Sequence, residues 1–571
     1  MKKKINIKIN GKKIQCNSDK TIMVVAKENG VDIPDLCNHP DFPAKGNCRV
    51  CVVEIKGWHK LVTSCSTKVE EGMEIFTESE RVKKARNLNI EMIFAEHVEK
   101  CATCVWRFEC PLLALTKKYN IKITRFSNRK AKRKTYRFAN AVEIDGSQCI
   151  DCRNCIDACS VMQNINFLEL KNKGIEQEVV PSKNKNFHCI LCGQCALHCP
   201  VSAAQEQTQW EEVERVIKNK NKIVIAQFAP AIRVSIGENF GLPYGKIVTE
   251  NVVAGLKELG FNYVFDVNFA ADLTTVTEAK ELIERIKNGG KMPMFTSCCP
   301  AWINYVEFYH PELIPNITTS RSPQIHGGGT IKTYWADKMG INPSDIVVVS
   351  VMPCTAKKYE AIRKEMMIDG NFPVDYVITT REFSFMLKKN NIDLAKLKKI
   401  KADDPLGKYS GGAAIFGGSG GVMESALRTA QFYLCGNEKS KLSKSKVDFK
   451  EVRGLDGIKE AVVDVAGNKL RVAVVNGIGN IEPVIDNLKN YDYIEVMSCP
   501  GGCIGGGGQP IPTTKEIREK RIAALYELDK KSKIRKSYEN KGVNDVLEWI
   551  GEQDGLESKI LYTKYAKRKK Y

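Results

Sequence analysis

The chain has 571 residues, 43% of them hydrophobic and 27% charged, with a formal net charge of +20. That length allows several domains around a large core, the composition excludes a disordered chain, and no apolar run approaches the roughly 18 residues a membrane span requires. Twenty-two cysteines, grouped mostly in C-x-x-C units, exclude a small disulfide scaffold and point to metal or redox sites in a reducing compartment, so a cytoplasmic location is expected.

Residues 1–80 read as a small β-rich unit. The opening MKKKINIKING has no apolar signal core, so export is not expected. Ile5, Ile7 and Ile9 alternate with polar residues and meet Asn10-Gly11, a strand entering a tight hairpin, and a short helix follows near Ile22–Glu28. Cys37, Cys48, Cys51 and Cys65 then give C-x10-C-x2-C-x13-C. Four thiolates, two of them close on one loop, suit a [2Fe–2S] rhombus, with zinc as the alternative. The spacing resembles the ferredoxin-like N-terminal domain of hydrogenases and of the large iron–sulfur subunit of respiratory complex I.

Residues 81–138 carry His97, Cys101, Cys104 and Cys110 behind the helical stretch VKKARNLNIEMIFAEH. On a continuous helix His97 and Cys101 share a face and reach one metal. A neutral imidazole in place of a thiolate makes such a cluster less negative and raises its reduction potential. The basic run 128–137 reads as a solvated linker, with a docking patch as the alternative, and nothing beside it suggests nucleic-acid binding.

Residues 139–209 contain a repeat, Cys149-Cys152-Cys155-Cys159 and then Cys189-Cys192-Cys195-Cys199, both C-x2-C-x2-C-x3-C. In this two-cluster ferredoxin run the fourth cysteine of each half ligates the other [4Fe–4S] cluster. Cys199 therefore joins Cys149, Cys152 and Cys155, and Cys159 joins Cys189, Cys192 and Cys195. Ser160 stands where proline is usual, which weakens a turn without removing a ligand.

From residue 210 the texture changes to β-α alternation. KIVIAQFAPA, MPMFTSCCPAW, DIVVVSVMPC, RVAVVNGIGN and YDYIEVMSCPGGC are apolar β-branched runs separated by helical patterns such as TEAKELIERIKN. In open α/β sheets ligands bind beyond the carboxyl ends of the strands. Three cysteine loops stand there: Cys298-Cys299, Cys354, and Cys499 with Cys503. This arrangement gathers four thiolates around one centre. The cysteine-free stretch 513–571 reads as charged helix packed on the outside.

TSCCPAW, MPCTAKKYEA and SCPGGCIGGGGQP, in this order behind four cluster motifs, closely resemble the three signatures of [FeFe]-hydrogenases, in the long form with four accessory clusters. The resemblance covers nearly the whole chain. It implies a multidomain α+β and α/β protein: an N-terminal β-grasp ferredoxin-like domain (1–80), a His/Cys3 [4Fe–4S] domain (81–138), a two-[4Fe–4S] ferredoxin-like domain (139–209) and a large α/β H-cluster domain with a helical tail (210–571). It also implies reversible reduction of protons to H2, fed by a ferredoxin or flavodoxin-like carrier.

The implied H-cluster is a [4Fe–4S] cubane on Cys299, Cys354, Cys499 and Cys503, bridged at Cys503 to a two-iron subsite with CO, cyanide and azadithiolate that maturation proteins install. Pro230, Ala231, Ser322, Gln324, Met352, Lys357, Phe416 and Met497 match its pocket. Lys357 is a charged donor suited to a cyanide nitrogen, and methionine and phenylalanine give a soft apolar wall. Cys298 matches the family's non-ligand cysteine at the head of a proton relay through Glu278, Thr318 and Glu281, with Arg285 at the surface. Read without the family, both glutamates are solvated helix charges. Ala301, Thr318 and Ala231 depart from the usual Gly, Ser and Ser. Cys16 and Cys435 read as plain buried thiols.

The nineteen ligand thiolates, partly offset by cationic iron cores, reduce the formal charge to about +10. That field would steer a small acidic carrier. A monomer without membrane or nucleic-acid partners is expected. The competing readings are a complex I-type conduit, which leaves the last three cysteine loops unexplained, and a hydrogenase-like assembly or H2-sensing protein, which leaves the relay and Lys357 unexplained. An NAD-linked bifurcating subunit is a further variant, but it often carries an additional C-terminal cluster.

Overall fold

The computed structural model describes residues 3–435 and 448–571. Strands β1 (Lys4–Ile9) and β2 (Lys12–Asn17) form the expected hairpin, with Ile5, Ile7 and Ile9 buried on one face. Asn10 and Gly11 both take positive φ, the left-handed pair a two-residue hairpin needs. With β3 (Val52–Ile55), β4 (Val62–Thr63) and β5 (Glu74–Phe76) they complete a sheet in the order β2-β1-β5-β3-β4. The helix Ile22–Glu28, capped by the Thr21 hydroxyl, packs its Ile22, Val25 and Ala26 into the core beneath.

The next helix runs Glu80–Ala95 and stops short of His97. His97 and Cys101 instead flank a single turn, Val98–Lys100, so the shared helix face expected of them is absent. Glu96, which caps the helix, pairs its buried carboxylate with Arg129 and Lys130 of the basic run. Most of that run is exposed, but Lys130 ties it to the lobe that follows. Lys130 is buried, holds Asp151 at 2.9 Å, and donates to the carbonyl of Cys149 at 2.8 Å.

Strands β6 (Thr135–Phe138) and β7 (Val142–Asp145) pair antiparallel. The boundary expected at residue 138 therefore falls inside a hairpin, and β6 belongs to the sheet that follows it. After β8 (Leu168–Lys171) and β9 (Glu178–Pro181), which pair together, β10 (Ala204–Glu206) closes the small sheet on β7.

The large α/β region resolves into two four-stranded sheets. β11 (Ile223–Phe228), β12 (Tyr263–Asp266), β14 (Ile346–Met352) and β15 (Tyr376–Thr379) are all parallel, in the order β12-β11-β14-β15. β13 (Met294–Phe295), β16 (Ile458–Val465), β17 (Asn468–Asn476) and β18 (Tyr493–Met497) form the second, in the order β13-β18-β17-β16. The inner strands are apolar on both faces because helices cover both, as parallel sheets require. β18 is buried at every residue.

The C-terminal stretch packs on the outside as expected, but it reaches inward with buried side chains. Its helix Lys515–Lys531 buries Ile517, Arg518, Arg521 and Leu525. Arg521 donates to the carbonyl of Ile504 at 2.7 Å, inside the last cysteine loop. Further on, Thr563 bonds to Thr319 at 2.8 Å. No described helix is long and apolar enough to cross a membrane.

Candidate active site

Each cysteine loop begins where a strand ends. Cys298-Cys299 links β13 to the helix Pro300–Tyr309, with Cys299 as its N-cap and Ala301 buried in its first turn. Cys354 links β14 to the helix Ala356–Ala361, which carries Lys357. Cys499 and Cys503 follow β18. The loops come from both sheets and meet between them.

One cavity of about 70 Å3 is lined by Cys298, Cys299, Cys354, Cys499 and Cys503 together with Pro230, Gln324, Met352, Lys357, Phe416 and Met497. Two expected pocket residues stand behind that wall. Ala231 packs with Leu525 and Ile504, and Ser322 holds Lys357 from outside. Val267, Pro323 and Ser498 also line the cavity, where sequence reading had only apolar core and loop. Gly502 lets the backbone turn in close, because its φ is +79° and a Cβ there would stand 2.8 Å from the Ser419 amide.

The donor set suits an iron–sulfur core. Burial, then the charge of neighbouring thiols, pushes Cys354 and Cys499 well above the ordinary thiol range and Cys503 to about 12. Sulfurs so placed ionise together only around a polycation. The cavity rim also carries two buried polar atoms without a protein partner, Ser498 Oγ and Gln324 Oε1. A bound group bearing polar ligands would meet both.

Lys357 is fixed in place. Its Nζ donates to Ser322 Oγ at 2.8 Å, Glu360 Oε2 at 2.8 Å and the Cys298 carbonyl at 3.2 Å. Burial opposes its charge, but Glu360 outweighs that and holds its pKa above the usual value. A cation therefore borders a cavity whose walls are largely apolar.

Glu278 and Glu281 lie on the helix Val267–Asn288, but only Glu281 keeps any contact with solvent. Glu281 Oε2 accepts from Thr318 Oγ1 at 2.7 Å, and Oε1 accepts from Arg285 Nε at 3.0 Å. The threonine variant thus preserves the hydroxyl link. Glu278 is buried, and that burial pushes its carboxyl up to about 8. Its Oε1 accepts from the Tyr493 hydroxyl at 2.5 Å, while Oε2 has no partner. Burial, then the charge of Glu278, pushes the Cys298 thiol well up. Of the expected relay, Cys298 feels the charge of Glu278, and Thr318, Glu281 and Arg285 form a bonded chain.

The upstream thiols gather as well. Cys159, Cys189, Cys192 and Cys195 line one small cavity, and His97, Cys101, Cys104 and Cys110 line another. His97 Nδ1 donates to the Gln148 carbonyl at 2.9 Å, leaving Nε2 free as a ligand. The ferredoxin-like lobe docks on the catalytic loops: Gln163 bonds to the Ser498 carbonyl at 2.8 Å, and Gln194 to the Gly505 carbonyl at 2.9 Å. Contact is so close that a Cβ on Gly507 would lie 2.5 Å from the Cys192 carbonyl.

Four family models match this chain: iron only hydrogenase large subunit, C-terminal domain, over residues 222–507; 2Fe-2S iron-sulfur cluster binding domain over 2–80; 4Fe-4S dicluster domain over 148–203; and iron hydrogenase small subunit over 515–568. The chain belongs to the iron-only hydrogenase family. Iron hydrogenase 1 of Clostridium pasteurianum is 39% identical, covering 98% of this chain and 99% of that one. The NADP-reducing hydrogenase subunit HndD of Solidesulfovibrio fructosivorans is 39% identical over 99% of each. The structure of the apo [FeFe]-hydrogenase HydA1 from Chlamydomonas reinhardtii covers 63% of this chain and 99% of its own, at 37% identity and a TM-score of 0.54. As an iron hydrogenase the chain is an oxidoreductase of hydrogen, with 2Fe-2S and 4Fe-4S clusters relaying electrons and an H-cluster for the chemistry.

Proposed function

We propose that this iron hydrogenase reduces protons to H2 with electrons from a ferredoxin or flavodoxin-like carrier in the cytoplasm. Its four units would hold one [2Fe–2S] cluster on Cys37, Cys48, Cys51 and Cys65; three accessory [4Fe–4S] clusters, on the His97 set and the two crossed cysteine sets; and the H-cluster cubane on Cys299, Cys354, Cys499 and Cys503. When bound, the H-cluster supplies the electron storage and the hydrogen chemistry. The convergence of four cysteines and Cys298 on one largely apolar cavity carries this reading.

The chain's own residues would do three things there. Met352, Phe416 and Met497 exclude water. Lys357 presents a fixed positive charge to an anionic cyanide ligand. Cys298 holds a proton at its sulfur and exchanges it with Glu278, and the Thr318–Glu281–Arg285 chain connects that pair to the surface. Between Glu278 and Thr318 a small side-chain rotation or one water completes the path. The two-iron subsite would come from maturation proteins.

Infrared spectroscopy of matured, anaerobic holoenzyme tests this reading. Cyanide and CO stretching bands are expected. Cys298→Ala should preserve those bands and lower H2 evolution at least about 100-fold, the scale of a lost proton donor. Absent bands in matured wild type, or full turnover in the variant, would contradict it.

A further inference from the structure

Outside every cluster-ligand set, three more metal-binding side chains converge. One ligand atom from each of His39, Asp41 and His198 lies within 4.8 Å of the other two. His198 is only 2% exposed, and its Nδ1 donates to the Gln194 carbonyl at 2.8 Å. A carbonyl only accepts, so Nδ1 carries a proton and Nε2 is the atom left to face a ligand. That Nε2 has no hydrogen-bond partner and stands 3.5 Å from Asp41 Oδ2, which has none either. A ring nitrogen and a carboxylate oxygen facing each other in this way are held by a shared proton or by a metal ion. Arg518 Nη1 approaches the same oxygen only to 3.6 Å and does not reach Nε2.

The remaining donor is His39. Its ring meets that of His198 edge-on, with centroids 4.5 Å apart, and its Nδ1 accepts from the Asp41 amide at 3.2 Å. Coordination through His39 would give up that one long bond. Both histidines line a cavity of about 380 Å3 that provides an entry path. We propose that His39, Asp41 and His198 bind a single divalent transition-metal ion. Two imidazoles and one carboxylate suit Zn2+, Fe2+ or Mn2+ and leave open positions for water. Bonds of about 2.1 Å bring donors to about 3.4 Å from one another, so the side chains close by about 1 Å on binding. The Gln194 carbonyl, which fixes the ring of His198, is the outer partner such a ligand requires.

The ion would clasp two parts of the molecule. His39 and Asp41 belong to the N-terminal unit, two and four residues beyond Cys37, whereas His198 precedes Cys199 in the ferredoxin-like lobe. Its charge would then raise the reduction potential of the clusters on both sides.

Holoenzyme prepared anaerobically, washed with EDTA and equilibrated with Zn2+ alone tests the site, with zinc and iron counted together by mass spectrometry. Wild type should bind one Zn2+ per chain more than the Asp41→Asn/His198→Gln double variant, whose affinity at this site should fall at least about 100-fold. Equal zinc in the two proteins at equal iron overturns the proposal. A zinc-edge anomalous map of wild type decides even if the variant loses clusters. A peak touching all three side chains supports the site, and peaks only elsewhere refute it.

Discussion

At the scale of single residues, Glu278 carries the sharpest prediction. Burial holds its proton up to about pH 8, whereas an exposed glutamate loses it near 4.5. Tyr493 works the other way, since a hydroxyl donating to a carboxylate favours the charged form. H2 evolution should therefore fall as pH rises through about 8, where Glu278 no longer holds a proton to pass on. The sign for stability is the same: the contribution of the neutral buried carboxyl is complete below the unfolded value and lost as pH rises through about 8. Tyr493→Phe should move that alkaline limb to higher pH by about one pH unit, the size of one hydrogen bond to a charged group. Glu278→Gln should abolish the limb along with most turnover. A limb that stays put in Tyr493→Phe would mean another group sets it. The cysteine loops that line the cavity were legible because each is a short motif at the end of an apolar run. Tyr493 was not, since a tyrosine in an apolar strand reads as core and its partner lies 215 residues away.

At the scale of elements, the C-terminal helix does more than its charge suggests. Arg521 is fully buried, pairs with Glu238 at 2.5 Å and bonds to the Ile504 carbonyl one residue after Cys503. Arg521→Leu would leave Glu238 buried and unpaired, and breaking such a pair is strongly destabilising. The unfolding temperature of anaerobic holoenzyme should drop by about 5 °C or more, and the cyanide and CO bands should broaden as the loop loosens. An unchanged melting curve would show that the helix is not coupled to the site. Sequence periodicity placed helix in this stretch and located the first hairpin and the strands β11, β13, β14, β17 and β18. It missed the arginines' burial because their partners are distant, and it ran the second helix on to His97 because nothing local signals the stop. Glu96 at that helix end pairs with Arg129 and Lys130, a tertiary contact that periodicity does not show.

At the scale of the whole molecule, the cluster sites lie in series. Asn47 of the first unit bonds to the Asp151 carbonyl at 2.9 Å, His97 bonds to Gln148 beside Cys149, and Cys499 Sγ lies 3.9 Å from the Cys192 carbonyl. Two surface units thus converge on one lobe, which abuts the catalytic loops. Cysteine spacing made the order of these units readable. How they dock, and that two sheets rather than one frame the site, depends on contacts between residues hundreds of positions apart and was not. A net charge that stays positive, about +10 once the ligand thiolates and their iron cores are counted, favours an acidic carrier. The kcat/KM for reduced ferredoxin should fall about tenfold between 50 and 500 mM NaCl, while turnover with cationic methyl viologen should not. A salt-independent rate with ferredoxin would remove the electrostatic argument.

The account depends most on Cys299, Cys354, Cys499 and Cys503 sharing one iron centre, and an iron-edge anomalous map of matured holoenzyme tests this directly. It should show a four-iron peak bonded to all four sulfurs, a two-iron peak beside it at Cys503, and no iron on Cys298. Iron bonded to only some of the four, or to Cys298 in place of one of them, would contradict it.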